Sequence, residues 1–226
     1  MERRLVLSGM TGLIALILSD EAMASALTDK NAQKALREAL DQGTEAAVTR
    51  VSKPDGYWGD DLIRIALPKN LAKIDKGLKP LGMSGPLDDV HLRMNRAAET
   101  AAPVAKGLFI DAITSLTIKD AIGIVKGGNT AGTDYLQRTT TPRLTAAFLP
   151  SMESAMQATG AVEVFDRAIK RNNLQSMVKT DAKTYLGQYA TSLALSGLFH
   201  YVGVEETAIR RSPAKRTSQI LQAVFG

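Results

Sequence analysis

Two stretches of the chain gather the residue types that could do chemistry. In residues 117–143, TIKDAIGIVKGGNTAGTDYLQRTTTPR, glycines, hydroxyls, an amide, acids and basic side chains crowd between helix-forming segments. Glycines ahead of a helix start expose backbone N–H groups, the arrangement that holds phosphates and carboxylates. Lys126 and Arg138 would add positive charge, and Asn129 or Thr130 can cap the helix that follows. In that helix Asp134 and Arg138 stand four residues apart and can pair. Thr130 and Asp134 share the same face, Tyr135 lies beside them, and Thr139, Thr140 and Thr141 follow at the helix end. The stretch is not a P-loop, because it has no Gly-Lys-Ser/Thr triplet and no preceding strand. Two uses remain open. One is an anion or small-ligand site; the other is a helix–turn–helix corner whose buried acid and arginine satisfy each other.

The second stretch is HLRMNRAAET, residues 91–100. His91, Asn95 and Glu99 recur every four residues and therefore share one helix face, with Arg96 at its border. Either this face is solvated, or Asn95 and Glu99 point inward and meet Asp134 and Arg138 of the first stretch. Recognisable catalytic patterns are missing. There are 2 histidines and no cysteine, no HExxH helix, no carboxylate cluster at metal spacing and no GxSxG elbow. A hydrolase or transferase would have to use Glu99 or Asp134 as a base beside a threonine hydroxyl. No catalytic residue, metal or cofactor is assigned.

The elements that must position these residues are helical. Aromatics make up 5% of the 226 residues, against 45% hydrophobic overall, and Ala, Leu, Lys, Arg and Gln are plentiful. Those choices favour helices over sheets. Residues 1–26 read as a cleaved signal peptide. Arg3 and Arg4 form a positive start, an apolar run spans 5–18, and Ala22 with Ala24, or Ala24 with Ala26, supplies the cleavage frame after Ala24 or Ala26. An apolar core of about 14 residues is short of the roughly 20 that span a bilayer. Without cysteine the chain cannot be a lipoprotein or form disulfides. The formal charge of +5 becomes about +6 once that segment is removed. Basic residues are spread along the chain, which implies a solvated surface, at most a weak attraction to anionic membrane surfaces, and no nucleic-acid partner.

The mature chain, residues 27–226, reads as a single helical domain. Thr28-Asp29 caps a first helix with Leu36, Ala39, Leu40, Ala47, Val48 and Val51 inside, ended by the turn signal Lys53-Pro54-Asp55-Gly56. Tyr57 and Trp58 form a lid on the core, or less readily a stacking platform for a sugar. Alternation at Ile63, Ile65 and Leu67 predicts a short extended segment. A helix with Leu71, Ile74 and Leu78 inward ends at Gly82, and Ser84-Gly85-Pro86 launches the next. Pro103 breaks the run that follows. Thr117 and Asp120 form a capping box for a helix with Ile118, Ala121, Ile122 and Val125 inside. Pro142 is expected to start a new helix with Leu144, Ala147, Phe148, Met152 and Met156 inside, and Gly160 separates another. Residues 185–204, the most apolar part of the mature chain, carry polar breaks and predict a buried helix; His200 within them reads as a core or interface histidine. Ser212-Pro213 caps a last helix whose Ile220, Leu221, Val224 and Phe225 dock on the body. The result is an all-α, irregular bundle of about eight to ten helices.

Several of these segments resemble one bacterial family. KPDG(Y)W, IRIALP, RMNRAAETAAP, IKDAIGIVKGGNTAGTDYLQRTT and RRSPAKRTSQILQAVFG are similar to the domain of unknown function 4197. The resemblance covers nearly all of the mature chain, and GGNTAGTDYLQRTT is its most specific part. It implies a mostly helical, exported protein of the Gram-negative envelope. It brings no activity. Its pattern lays Asn95, Arg96, Glu99, Thr130, Asp134, Tyr135, Arg138 and Thr140 onto positions that this chain fills with fitting residues. Together these readings point to a non-catalytic periplasmic protein that binds an envelope partner or an anionic or amphiphilic small ligand, with a purely structural envelope role as a further alternative.

Overall fold

A computed structural model describes residues 29–82, 84–171, 175 and 180–226, and gives only the backbone of residues 70, 74, 78, 81, 86 and 168. The expected signal peptide and Thr28 lie outside the described residues, and so do the side chains of Ile74, Leu78 and Pro86.

The helices in chain order are α1 (Asp29–Val51), α2 (Lys69–Leu78), α3 (Gly85–Ala101), α4 (Ala105–Thr114), α5 (Ile118–Val125), α6 (Ala131–Ala158), α7 (Ala161–Arg171), α8 (Ala182–Arg211) and α9 (Gln219–Phe225). No strand occurs among the described residues. The all-α single domain and the expected range of helix number are therefore as read from the sequence.

The frame is the pair α6 and α8. They run antiparallel, since Glu206 bonds the start of α6 while Lys183 reaches Glu153 near its end, 3.4 Å away. Behind them, α1 packs across α8, α5 and α4, and α3 packs on α6 and α7. One continuous core contains Leu36, Leu40, Met94, Phe109, Leu136, Phe148 and Leu198, all fully buried or nearly so. A small satellite of Ala35, Ala39, Ile209 and Leu221 docks α9 on α1.

The helix ends explain why the chain turns where it does. Thr117 and Asp120 form the expected capping box of α5. Asp181 caps α8 through the Thr184 N–H at 2.9 Å. Gly82 and Gly160 take positive φ, 67° and 72°, and close the helices before them. Arginines from elsewhere cap carbonyl ends: Arg37 donates to Thr114 and Leu116 O at 2.6 and 2.9 Å after α4, and Arg216 donates to Ile209 and Arg210 O at the end of α8. A cation there also meets the negative end of the helix dipole.

Three local expectations need correction. Pro142 does not start a helix; with Pro150 it lies inside the 28-residue α6. An interior proline costs about 3 kcal/mol, but the stripe Leu136, Thr140, Leu144, Phe148, Met152 and Met156 is continuous and buried on one face, and its burial outweighs that cost. The Thr139, Thr140 and Thr141 hydroxyls donate to the carbonyls of Tyr135, Leu136 and Gln137, so the turn before Pro142 stays bonded. The inner face of α5 is Ala121 and Ile124, with Ile118 exposed. The cap of the last helix is Ser218, whose side chain accepts from Leu221 N, because Pro213–Lys215 forms a separate 3-10 turn.

Candidate functional site

The polar residues of α3 hold a strap of chain against the bundle. Residues 52–68 leave α1 through a turn in which Asp55 adopts φ 65°, and continue as an extended segment with Ile63, Ile65 and Leu67 buried. Gly56 is required there because a Cβ would lie 2.5 Å from Val51 O. The strap has no partner strand, so side chains stand in for one. Asn95 Oδ1 accepts from Ile65 N at 2.8 Å, and its Nδ2 donates to Ile65 O at 3.0 Å and His91 O at 2.9 Å. Glu99 Oε1 accepts from both Tyr57 N and Trp58 N at 3.1 Å, while its Oε2 pairs with Arg96 at 2.9 Å. Arg96 also reaches Asp55 at 2.7 Å.

Asn95 and Glu99 do point inward, but what they meet is backbone. Tyr57 is fully buried and donates its hydroxyl to Ala194 O at 2.7 Å; burial and the Glu99 charge push its pKa far up. Tyr201 donates to Asp60, which also pairs with Arg50 at 3.3 Å; that hydroxyl is the main reason the Asp60 pKa lies below the usual range. Trp58 is half-buried, edge-on to His91 and beneath Arg64, so it presents no free stacking platform.

The start of α6 is occupied by an acid that lies far along the sequence. Glu206, 1% exposed on α8, accepts from Gly132 N at 2.9 Å, Thr133 N at 2.7 Å and Thr133 Oγ1 at 2.7 Å. Arg210, one helical turn on, pairs with Glu206 at 2.9 Å and donates to Ile124 and Val125 O at the end of α5. One buried ion pair thus closes the end of α5 and the start of α6 together. The anion at this N-terminus is the protein's own carboxylate. Gly132 makes the approach feasible, since a Cβ there would lie 2.8 Å from Leu40 Cδ2 and 2.9 Å from Glu206 Oε1.

The expected Asp134–Arg138 pair is therefore not the one that fixes the corner, and Asp134 does not meet Asn95 or Glu99. Asp134 and Arg138 are exposed, no ion pair joins them, and Arg138 stacks over Tyr135 with 5.9 Å to the ring centroid. The helical phase explains this: Gly132, Thr133, Leu136 and Thr140 take the buried stripe, which turns Asp134 and Arg138 outward. Tyr135 is half-buried, and burial raises its pKa. Thr140 is buried and its hydroxyl is taken by Leu136 O at 2.6 Å. Thr130 is the α6 N-cap, but its side chain makes no capping bond. Asn129, with its amide oxygen turned to Arg211, accepts from that guanidinium. Lys126 is exposed at the C-cap of α5.

Thr130 and Asp134 nonetheless line a cavity. A groove of about 580 Å³ runs between α6 and α8, with Thr130, Thr133, Asp134 and Gln137 on one wall and Ser196, Phe199, His200, Gly203 and Thr207 on the other. It continues through Gln137, Ser196 and Phe199 into a second cavity of about 370 Å³ that reaches Thr145 and Gln188. A third, of about 190 Å³, opens from Ser196 and His200 toward Leu62, which is 76% exposed. His200 is thus an exposed groove residue and not a core histidine. Neither Glu99, Asn95 nor Arg96 lines these cavities.

Sequence reading missed Glu206, Arg210 and the α8 wall. A signal existed for the first two: an acid and an arginine four residues apart, directly after the most apolar stretch of the chain. Nothing in the composition marked Ser196 or Gly203.

The fold and the corner define a single-domain helical bundle with a long solvent-open groove between α6 and α8. The chain belongs to the family described as protein of unknown function DUF4197, whose family model matches residues 26–226. No curated protein and no solved structure matches it.

Proposed function

We propose that this is an exported periplasmic binding protein without catalytic activity, whose ligand site is the groove between α6 and α8. The observation that carries the reading is a contrast in side-chain engagement. Asn95, Glu99 and Glu206 are saturated by protein groups, whereas the Asp134 carboxylate has no hydrogen-bond or ion-pair partner among the described residues and lines a cavity of about 580 Å³. That volume lies in the range of ligand sites. Export rests on the arginine pair, apolar run and small-residue frame of residues 1–26, and no described helix is long and apolar enough to cross a membrane.

Three alternatives lose ground on specific contacts. A hydrolase or transferase that joins Glu99 to Asp134 is disfavoured, because Glu99 is engaged by Tyr57 N, Trp58 N and Arg96 and lines no part of the groove. A purely structural role is disfavoured by the cavity at Asp134, and by Leu221 being fully buried against the body instead of forming an apolar patch. An anionic ligand at the α6 N-terminus is disfavoured too, since Glu206 occupies it.

The test has two parts. N-terminal sequencing of protein from a periplasmic extract should begin at Ser25 or Leu27; an intact Met1 in the cytoplasm removes the export reading. Native mass spectrometry of the same material should show a bound molecule that Ser196→Trp releases. Retention of the bound mass by a folded Ser196→Trp protein would place the ligand elsewhere.

A further inference from the structure

We infer that the groove takes an extended peptide segment carrying a basic side chain or free amine, held at one end by Asp134. This assignment rests on the groove being the ligand site. The first argument is charge. The chain carries a formal charge of +5, yet the residues lining the two long cavities include one carboxylate, Asp134, and no lysine or arginine; the third cavity adds Arg64, whose guanidinium is already held by Asp61 at 2.8 Å and by Trp58 O. Arg138, the cation nearest in sequence, is drawn over Tyr135, and the α6 amides that would attract an anion are closed by Glu206. A negative ligand would be repelled by Asp134, and a cation gains an unpaired acid.

The second argument is length. From Thr130 to Thr145 the α6 wall covers about 22 Å at the helical rise. An extended peptide of about six residues spans that distance. The third argument is wall chemistry. Gln137 and Gln188 offer paired donors and acceptors that match a peptide backbone, and Phe199, Leu195 and Gly203 leave apolar floor between them for small side chains. A glycan would need a broad aromatic face for stacking, and no Tyr or Trp lines these cavities, while Phe199 is 5% exposed and packed edge-to-face on Phe109, 5.7 Å between centroids.

Fluorescence anisotropy of the mature protein with labelled hexapeptides tests this. The probes are a sequence of alanine and serine with two lysines, and the same sequence with glutamate in place of lysine. The lysine peptide should bind at least tenfold more tightly, and more weakly as salt rises. Asp134→Asn should remove that tenfold preference, and Ser196→Trp, at the point where the cavities join, should abolish binding while the thermal melt stays unchanged. Equal binding of both peptides, no binding at millimolar peptide, or a preference that survives Asp134→Asn overturns the assignment. So does displacement at equal molarity by spermidine or by a neutral hexasaccharide, or a dimer in sedimentation that Ser196→Trp dissolves, which would make the occupant a second copy. The groove reading itself falls separately, if any ligand that binds the protein binds Ser196→Trp equally well.

Discussion

The polar face of α3 and the polar face of α6 look alike in sequence and end in opposite states. On α3, Asn95 makes three hydrogen bonds and Glu99 three, all to the chain itself, so the 52–68 strap can lie on the bundle without a strand beside it. On α6, the buried half, Gly132 and Thr133, is locked to Glu206, while Thr130 and Asp134 on either side of them are left facing a groove. A polar cluster in a helix is thus no guide to a binding site until the partner of each polar atom is known. Saturated groups stabilise the fold; unsaturated groups beside a cavity are available to a ligand.

The contrast can be broken or sharpened by experiment. Arg210→Ala should have the largest effect, because it strands the buried Glu206 carboxylate and frees two α5 carbonyls; breaking such a pair costs about 3–5 kcal/mol, read as a lower urea midpoint. A loss below about 1 kcal/mol would mean that Glu206 alone holds the corner. Asn95→Ala comes next. It orphans the Ile65 N–H and C=O in a buried strap, at about 1–3 kcal/mol for each group, and hydrogen exchange should open at Ile65 before the rest of the bundle. Exchange that remains protected there would show that packing of Ile63, Ile65 and Leu67 suffices to hold the strap.

A smaller effect is expected in acid. The pKa of His91 lies below its ordinary 6.5, first because burial disfavours the charged ring and then because Arg64 repels it; the Ile65 backbone and Asp75 act the other way, and Lys79 adds to the repulsion. Folding therefore favours the neutral ring. The stability this gives is present above about pH 6.5 and is lost as the pH falls below that value. His91→Phe, which keeps a ring edge against Trp58, should flatten the melting temperature between pH 7 and pH 5; an unchanged slope would assign the acid limb to other groups. The smallest effect belongs to the groove. Asp134→Asn and Thr130→Ala should each change stability by less than about 0.5 kcal/mol, and a loss above 2 kcal/mol at Asp134 would make its carboxylate structural and erase the contrast.

Much of this architecture was legible along the chain. The apolar spacing at Leu36, Leu40, Ala47 and Val51, the capping box at Thr117 and Asp120, the break at Pro103 and the extended alternation at Ile63, Ile65 and Leu67 are local signals, set by helical period, capping and proline sterics. Residue types alone also marked Asn95, Glu99, Thr130 and Asp134 as special. What they could not carry was phase and partner. Pro142 reads locally as a helix start, but a buried stripe running from Leu136 to Met156 overrides it. Asp134 and Arg138 read as a pair, but tertiary packing assigned that role to Glu206 and Arg210, 72 positions further along in each case. Sequence by itself determined the all-α class, the absence of cysteine chemistry and the extended strap, because those follow from composition and from neighbours within a few residues. Only the tertiary structure decided which acid closes the corner and which is left facing the groove, because a charge is satisfied by whatever folding brings beside it.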